Sequence, residues 1–593
     1  MAIVHLSGTK LEAQRVKAPL NKRFMYAMGL TFALAMHFYM PNPGGLGLEL
    51  PFNNVTWLAL SFALGLGLYQ TARNKVFRYT KLTIAFLVSC IVLTLPVIYT
   101  NAYPAGAIER IIGLWAGWLL FFVLQQFSLS NRHRQRLLWF IVLAVVIQSG
   151  VGYVQYFSTQ IGNLIGFNLS STPPTGIFNQ PDVMGSFLAT GLVLSGYLLA
   201  RQQQKYGQRL SRTTLLYLMP AITAPLIVVL ASLASWIGAL IGAILILPYL
   251  YRFSTKRRLF GWSVSALTGV ATGILLSIST GSTDKILDGT DLSQGKSTSF
   301  AQSMDMLIEK PFTGYGYGRF ESEYIIYTAR QHQLNSSYPP GEASLTHPNN
   351  EVFYWGIEGG ILALFGIAVT IIFVVAKLYS VRKGTRLAIL GLFVPIVIHS
   401  LFGGPFYYSA IHWITFIVML YWLDQRSANY KNYHFSRLAR FSLRLNSIAL
   451  PLLTTIFMCT TLHSNYILTK FENSSPKDTE KLESVTNKVV WKERLESDIY
   501  HSYLKLGLVN FDPKMIQPYI DWSITLIKHK PRIDLYKNLI LAYLGIGEDI
   551  KAEQIRTEAQ YLFPEVDFSE VELSHRPDNA ADLNQTTEIL IEQ

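Results

Sequence analysis

The chain has 593 residues, half of them hydrophobic and only 15% charged, with positive mean hydropathy, which is the composition of an integral membrane protein with room for several domains. Its net charge of +13 comes without a basic patch interleaved with aromatics, so the charge speaks for membrane topology and against a nucleic-acid partner. The two cysteines, Cys90 and Cys459, sit in apolar runs far apart and support neither a disulfide framework nor a thiolate metal site.

From the N-terminus, Lys10, Arg15, Lys17, Lys22 and Arg23 precede an apolar run of full length with no small-residue cleavage site before it. Residues 1–23 therefore read as a retained cytoplasmic N-terminus, not a signal peptide. Strong apolar runs then begin near Phe24, Phe52, Leu82, Ile111, Leu137, Val183, Leu215, Trp236, Leu259, Val352, Leu387, Ser409 and Ser447. They predict an all-α polytopic membrane domain over residues 24–464 with about thirteen transmembrane helices, within a range of twelve to fourteen. Basic residues cluster in alternate loops, among them Arg73 to Lys81, Arg132 to Arg136, Arg201 to Arg212, Arg252 to Arg258 and Arg426 to Arg444. These loops are expected in the cytoplasm by the positive-inside rule, which sends the C-terminus outside.

Three polar clusters then fall on the outer side. The first, Thr172 to Asp182, precedes the sixth run and contains Pro173, Pro174, Gln180 and Pro181. These residues also fit a simple helix end and helix start with a surface amide. The second is a loop of some sixty residues, 281–346, whose cations Lys285, Lys296, Lys310, Arg319 and Arg330 suit either an ordinary solvated loop or a phosphate-bearing ligand. The third, Gly403-Gly-Pro-Phe-Tyr407-Tyr408, also fits interfacial aromatics. There is no Walker loop, and Gly314, Gly316 and Gly318 lack the strand–turn–helix context of a dinucleotide site.

The loop 281–346 ends at His347-Pro348-Asn349-Asn350-Glu351, which opens an apolar helix carrying Glu358, Gly359 and Gly360. Pro348 suits the first helical position, making His347 the expected cap at the positive end of the helix dipole, where a neutral imidazole is favoured. Glu358 then lies three turns on, roughly 16 Å along the same face, and a carboxylate there demands a partner. The tail, residues 465–593, carries 15 Lys plus Arg against 22 Asp plus Glu and reads as helical hairpins. Tyr536, Leu539, Tyr543, Ala552, Ala559 and Pro564 match one tetratricopeptide unit, and an ordinary small helical domain fits them equally.

The stretch T-H-P-N-N-E-V-F-Y-W-G-I-E-G-G resembles the His-rich motif of the bacterial O-antigen ligase and polymerase (Wzy/WaaL-like) superfamily. Gly176-Ile-Phe-Asn-Gln180-Pro-Asp182, Pro311 to Phe320 and His399 to His412 are similar to further elements of the branch that glycosylates pilins, the PglL-type O-oligosaccharyltransferases. Asn349 stands where many relatives have a second histidine, Leu233 and Lys296 where they have arginines, and Gly403 where they have an acid. The resemblance implies a metal-independent glycosyltransferase without cofactors, in the inner membrane of a Gram-negative bacterium. It would transfer a preassembled glycan from a polyprenyl-diphosphate carrier to Ser or Thr of pilin or another periplasmic protein. On that reading His347 is the general base. Gln180, Tyr407, Tyr408, Asn350, Lys296, Arg319 and Arg330 bind substrate, Glu358 holds the His347 helix, and the tail is a periplasmic docking domain. The alternatives are an O-antigen ligase acting on lipid A core, an O-antigen polymerase, and a flippase for lipid-linked glycan.

Overall fold

The computed structural model describes residues 20–157, 174–202, 210–279, 289–475 and 477–573. Every one of the thirteen apolar runs contains a helix. The first nine are α1 Asn21–Ala33, α2 Pro51–Asn74, α3 Lys81–Thr94, α4 Ile108–Gln126, α5 Asn131–Phe157, α6 Pro181–Ala200, α7 Leu210–Val229, α8 Leu233–Phe253 and α9 Lys256–Ser279. The segment before His347 contributes α10 Gly289–Glu309 and α11 Phe320–Leu334, so the expected long loop is in good part helical. The membrane region continues with α12 Glu351–Ser380, α13 Lys383–Phe402, the single turn α14 Pro405–Tyr408, α15 Ala410–Asp424 and α16 Arg437–Glu472. Among the described residues eleven helices are long and apolar enough to cross a membrane, and α15 is a shorter apolar one. At 1.5 Å per residue the fifteen residues of α15 span roughly 22 Å, less than a bilayer core of about 30 Å. The protein is a multi-pass membrane protein.

Helix α6 is buried from Val183 to Ala200 and packs at the centre of the bundle, with α5, α7, α8 and α13 around it. Small residues let the neighbours close in: a Cβ on Gly238 of α8 would meet the Pro395 backbone of α13 at 2.9 Å. The all-α expectation missed one ribbon, β1 Val76–Tyr79 paired antiparallel with β2 Lys431–His434. Each strand is four residues long, and Phe77 of β1 stacks on Phe435 at 4.5 Å. No local pattern marks strands this short; they form because two loops 350 residues apart meet.

The tail folds into two helical hairpins, α17 Lys492–Asn510 with α18 Pro513–Ile527 and α19 Ile533–Gly545 with α20 Asp549–Leu562. Tyr536, Leu539, Ala552 and Ala559 are buried between the helices of the second hairpin, where the small alanines allow close approach. The tail shares one apolar core with the segment before His347: Met306, Phe320 and Tyr324 cluster with Ile520, Tyr536 and Ile540. Polar contacts fasten the same junction. Arg532 pairs with Glu321 at 2.8 Å across it and with Glu493 of the tail itself at 3.0 Å, and His529 stacks on Tyr103 of the α3–α4 connection at 4.2 Å between ring centres.

Candidate active site

Helix α12 begins at Glu351, and its cap is Asn350, not His347. The Asn350 side chain accepts a hydrogen bond from the Phe353 amide at 3.0 Å and donates one to the Leu401 carbonyl at 3.1 Å, so both ends of the carboxamide are engaged. Asparagine is a far better cap than histidine because its short side chain reaches the third amide of the helix. Residues 348–350 form a tight turn into the helix, closed by the Asn350 amide on the Pro348 carbonyl at 2.7 Å. Because the helix starts only at Glu351, the helical rise to Glu358 is about 10 Å, and the three-turn helical spacing expected from His347 does not apply.

His347 is 5% exposed, and burial pushes its imidazolium down to about 4. Burial, more than the dipole, keeps the ring neutral. Its Nδ1 lies 3.2 Å from Thr346 Oγ1, while Nε2 is buried without a partner. The ring is walled by Tyr407, Tyr408 and Tyr354, at 5.5, 5.7 and 6.3 Å between ring centres. Gly404 faces the Nε2 edge of the ring, where a Cβ would stand 2.9 Å from the nitrogen.

Below this ring, α12 breaks at Gly360, whose φ of 65° and ψ of −159° lie outside the helical range. A Cβ there would meet the Phe312 carbonyl oxygen at 2.1 Å. The break exposes backbone groups that Pro311 to Phe320 satisfies. The Tyr315 and Gly316 amides donate to the Ile357 and Glu358 carbonyls at 2.7 and 3.0 Å, and the Ile361 amide donates to the Pro311 carbonyl at 2.8 Å. Gly314, Gly316 and Gly318 all have positive φ. The glycine-rich segment thus braces a broken helix instead of cradling a nucleotide.

Glu358 is fully buried and has found its partner in Arg110, at the start of α4. Glu358 Oε1 also accepts the Phe320 amide at 3.1 Å. Arg110 donates through Nη1 to Tyr407 Oη at 3.0 Å and lies 4.2 to 4.8 Å from the centres of the Tyr354, Trp355 and Tyr317 rings. An aromatic cage of this kind stabilises a guanidinium held away from water. Sequence reading passed over Arg110 because it sits at the edge of an apolar run beside Glu109. Its one signal was the unpaired Glu358, which required a cation from elsewhere. Burial raises the Tyr407 phenol well above its ordinary value, so it is a neutral hydrogen-bonding group.

The Gly176 to Gln180 element is held from α5. Gln155 accepts from and donates to the Gly176 backbone at 2.7 and 2.9 Å, and Gln148 accepts from the Ile177 amide at 3.1 Å. Gly176 and Asn179 both have positive φ, which folds the segment into a tight turn. Phe178 plugs into the core edge-on to Phe52. Gln180 then takes the cap position of α6, half-buried, with no side-chain hydrogen bond among the described residues. Burial raises the Tyr408 phenol above its ordinary value, and Asp182, two residues on from Gln180, lies near enough to add to that. The structure therefore brings the Gln180, His347 and Tyr407 segments together.

The loop cations are spread out. Arg330 donates from Nη2 to both carboxylate oxygens of Glu309, at 2.7 and 2.6 Å, on the surface. Arg319 faces Glu323 at 3.7 Å, and Lys310 stands over the Tyr315 ring at 4.1 Å with no carboxylate partner among the described residues. The Lys296 side chain, Lys285, Thr172 and Pro173 lie outside the described residues. Among the described residues no group of three or more His, Cys, Asp or Glu is placed to hold a metal ion.

Residues 218–368, which include His347, match the family model described as O-antigen ligase. Residues 387–576, which include Gly403 to Tyr408 and most of the tail, match that of the C-terminal part of a virulence factor membrane-bound polymerase. No curated protein matches the chain.

Proposed function

We propose that this chain, which belongs to the O-antigen ligase and polymerase superfamily, transfers a preassembled glycan from a polyprenyl-diphosphate carrier to a Ser or Thr hydroxyl of an exported protein such as a pilin. The observation that carries the reading is the Nε2 of His347: buried, unpartnered, and on a ring that burial keeps neutral. With Nδ1–H directed at Thr346 Oγ1, the Nε2 lone pair is free to take the acceptor's proton. The acceptor oxygen forms the new bond to the anomeric carbon, the bond from that carbon to the diphosphate oxygen breaks, and the carrier leaves as polyprenyl diphosphate. Tyr407, steadied by Arg110 and Glu358, donates to a substrate oxygen beside the imidazole, with Tyr408 and Gln180 at the rim. Asn350 contributes by capping the helix that follows His347. Lys296, Arg319 and Arg330 remain the proposed cations for the diphosphate, of which Arg319 would turn from Glu323 and Arg330 would release Glu309 to reach it.

The alternation of basic loops supports a cytoplasmic N-terminus, a periplasmic site and tail, and residence in the inner membrane of a Gram-negative bacterium. The division into residues 1–23, 24–464 and 465–593 belongs to the same reading, with α16 running past the 464/465 boundary to Glu472. A tail that shares its core with the segment before His347 would present an acceptor protein directly beside the site.

A second reading, extension of one lipid-linked glycan by another or its transfer to lipid A core, is favoured by the polymerase match over residues 387–576. One experiment separates them. Purified protein is incubated without ATP with a lipid-linked oligosaccharide and, in parallel, a pilin, lipid A core or a second lipid-linked glycan, and products are identified by mass spectrometry. Glycopeptide in the pilin arm, absent with His347→Ala, is expected; product only in the lipid arms would establish the second reading.

A further inference from the structure

Ser186 Oγ lies 2.7 Å from His399 Nδ1 and 3.1 Å from His412 Nε2. The three residues come from α6, α13 and α15, and all three are fully buried. Each stands within two turns of a segment that carries a candidate site residue: Ser186 follows Gln180, His399 precedes Gly403, and His412 follows Tyr408. One hydroxyl therefore ties together the three helix ends that hold these segments. Phe178 and Phe187 cover His412 at 5.5 and 5.3 Å between ring centres, so the cluster sits directly under the Gly176 to Gln180 turn.

The proton positions follow from what each atom can reach. His412 Nδ1 has no partner, and a buried N–H without an acceptor costs more than a bare lone pair, which puts the His412 proton on Nε2. That N–H faces Ser186 Oγ at 3.1 Å, with the Val183 carbonyl as a second acceptor. Ser186 in turn has one proton and two acceptors in reach, His399 Nδ1 at 2.7 Å and its own helix's Val183 carbonyl at 3.1 Å, and the shorter contact takes it. The far edge of the His399 ring, at Cδ2 and Nε2, is what a Cβ on Gly403 would meet at 2.9 Å. On the next residue, a Cβ on Gly404 would meet His347 Nε2 at the same distance. Two imidazoles thus hold the Gly403–Gly404 turn, one locked from below by Ser186 and the other the candidate base.

We propose that Ser186 is a positioning residue that, through His399 and His412, sets the Gly403–Gly404 turn against His347 and so defines the space in which the acceptor hydroxyl meets Nε2. The proposal rests on the general-base reading of His347. It makes Ser186 contribute to turnover without touching substrate.

The test compares full-length wild type, Ser186→Ala and Ser186→Thr, purified in detergent, in the glycan-transfer assay and in a second measurement independent of it: the rate at which diethyl pyrocarbonate modifies His347, read by mass spectrometry. A reacting group displaced by about 1 Å loses up to about a hundredfold in rate, so Ser186→Ala is expected to lose at least about tenfold in kcat with KM for the lipid-linked donor unchanged. His347 is expected to react faster in Ser186→Ala because the turn no longer covers it, and Ser186→Thr, which keeps the hydroxyl, is expected to restore both readouts. Wild-type kcat together with a wild-type modification rate in Ser186→Ala would overturn the proposal, as would a change confined to KM. If the wild type transfers glycan to no acceptor, the general-base reading fails, and the modification rates alone decide whether Ser186 sets the turn.

Discussion

A Cβ on Gly404 would stand 2.9 Å from Nε2 of His347, closer than side-chain atoms approach one another without one of them moving. The backbone of Gly404, at φ −122° and ψ 61°, is outside the left-handed region, so the glycine is there for space and not for conformation.

Gly404→Ala is therefore expected to leave folding and expression intact while lowering transfer by about tenfold or more, because the methyl occupies the approach to the base. The check is kcat/KM for the lipid-linked donor beside the melting temperature in detergent. A variant that transfers glycan at the wild-type rate would remove this side of the ring from the acceptor path.

Arg110 and Glu358 form a buried ion pair, and losing one partner strands the other charge in an apolar cage. Arg110→Ala is expected to cost about 3–5 kcal/mol, seen as a large fall in melting temperature or yield. The double variant Arg110→Met with Glu358→Gln is expected to be milder than Arg110→Ala alone, since no charge is stranded and the Gln carbonyl still accepts the Phe320 amide. Equal melting of Arg110→Ala and wild type would mean that the pair does not hold α4 to α12.

The His347 ring has an ordinary imidazolium value of 6.5 and is pushed down to about 4 by burial. The base is unprotonated above about 4, so the acid limb of kcat/KM against pH is expected near 4 and is absent between 5 and 8. The same shift acts on stability: between about 4 and 6.5 the unfolded chain binds the proton and the folded chain does not, so acidification through that window destabilises the fold. A wild-type limb close to 6.5 would show a solvated imidazole.

Asp498 in α17 presents the opposite case. Burial and the nearby Glu472 raise its carboxyl from 3.8 to about 7, and its Oδ2 has no hydrogen-bond partner. The folded state holds this proton more tightly than the unfolded one, so the tail loses stability as pH rises from about 4 to about 7. Asp498→Asn is expected to abolish that slope and to stabilise the tail at pH 8, measurable by limited proteolysis of residues 477–573 across pH. An unchanged slope would place the titrating group elsewhere.

What could be read from the chain alone is what depends on neighbours in sequence. Apolar runs long enough to span a bilayer, basic loops in alternation, and the motifs around Gln180, His347 and Tyr407 are local signals, because solvation by lipid acts on each segment separately. The tail hairpins were legible for the same reason, from alanine and aromatic spacing around Tyr536. The Asn350 cap was misread because Pro348 offers a competing start, and the choice turned on a carboxamide reaching both Phe353 and Leu401. Tertiary structure alone decided the rest. Arg110 lies 248 positions from Glu358, Ser186 lies 213 from His399, and Gly404 lies 57 from His347. Charges and hydrogen bonds buried away from water must be satisfied by whatever the fold brings near, and sequence distance carries no information about which group that is.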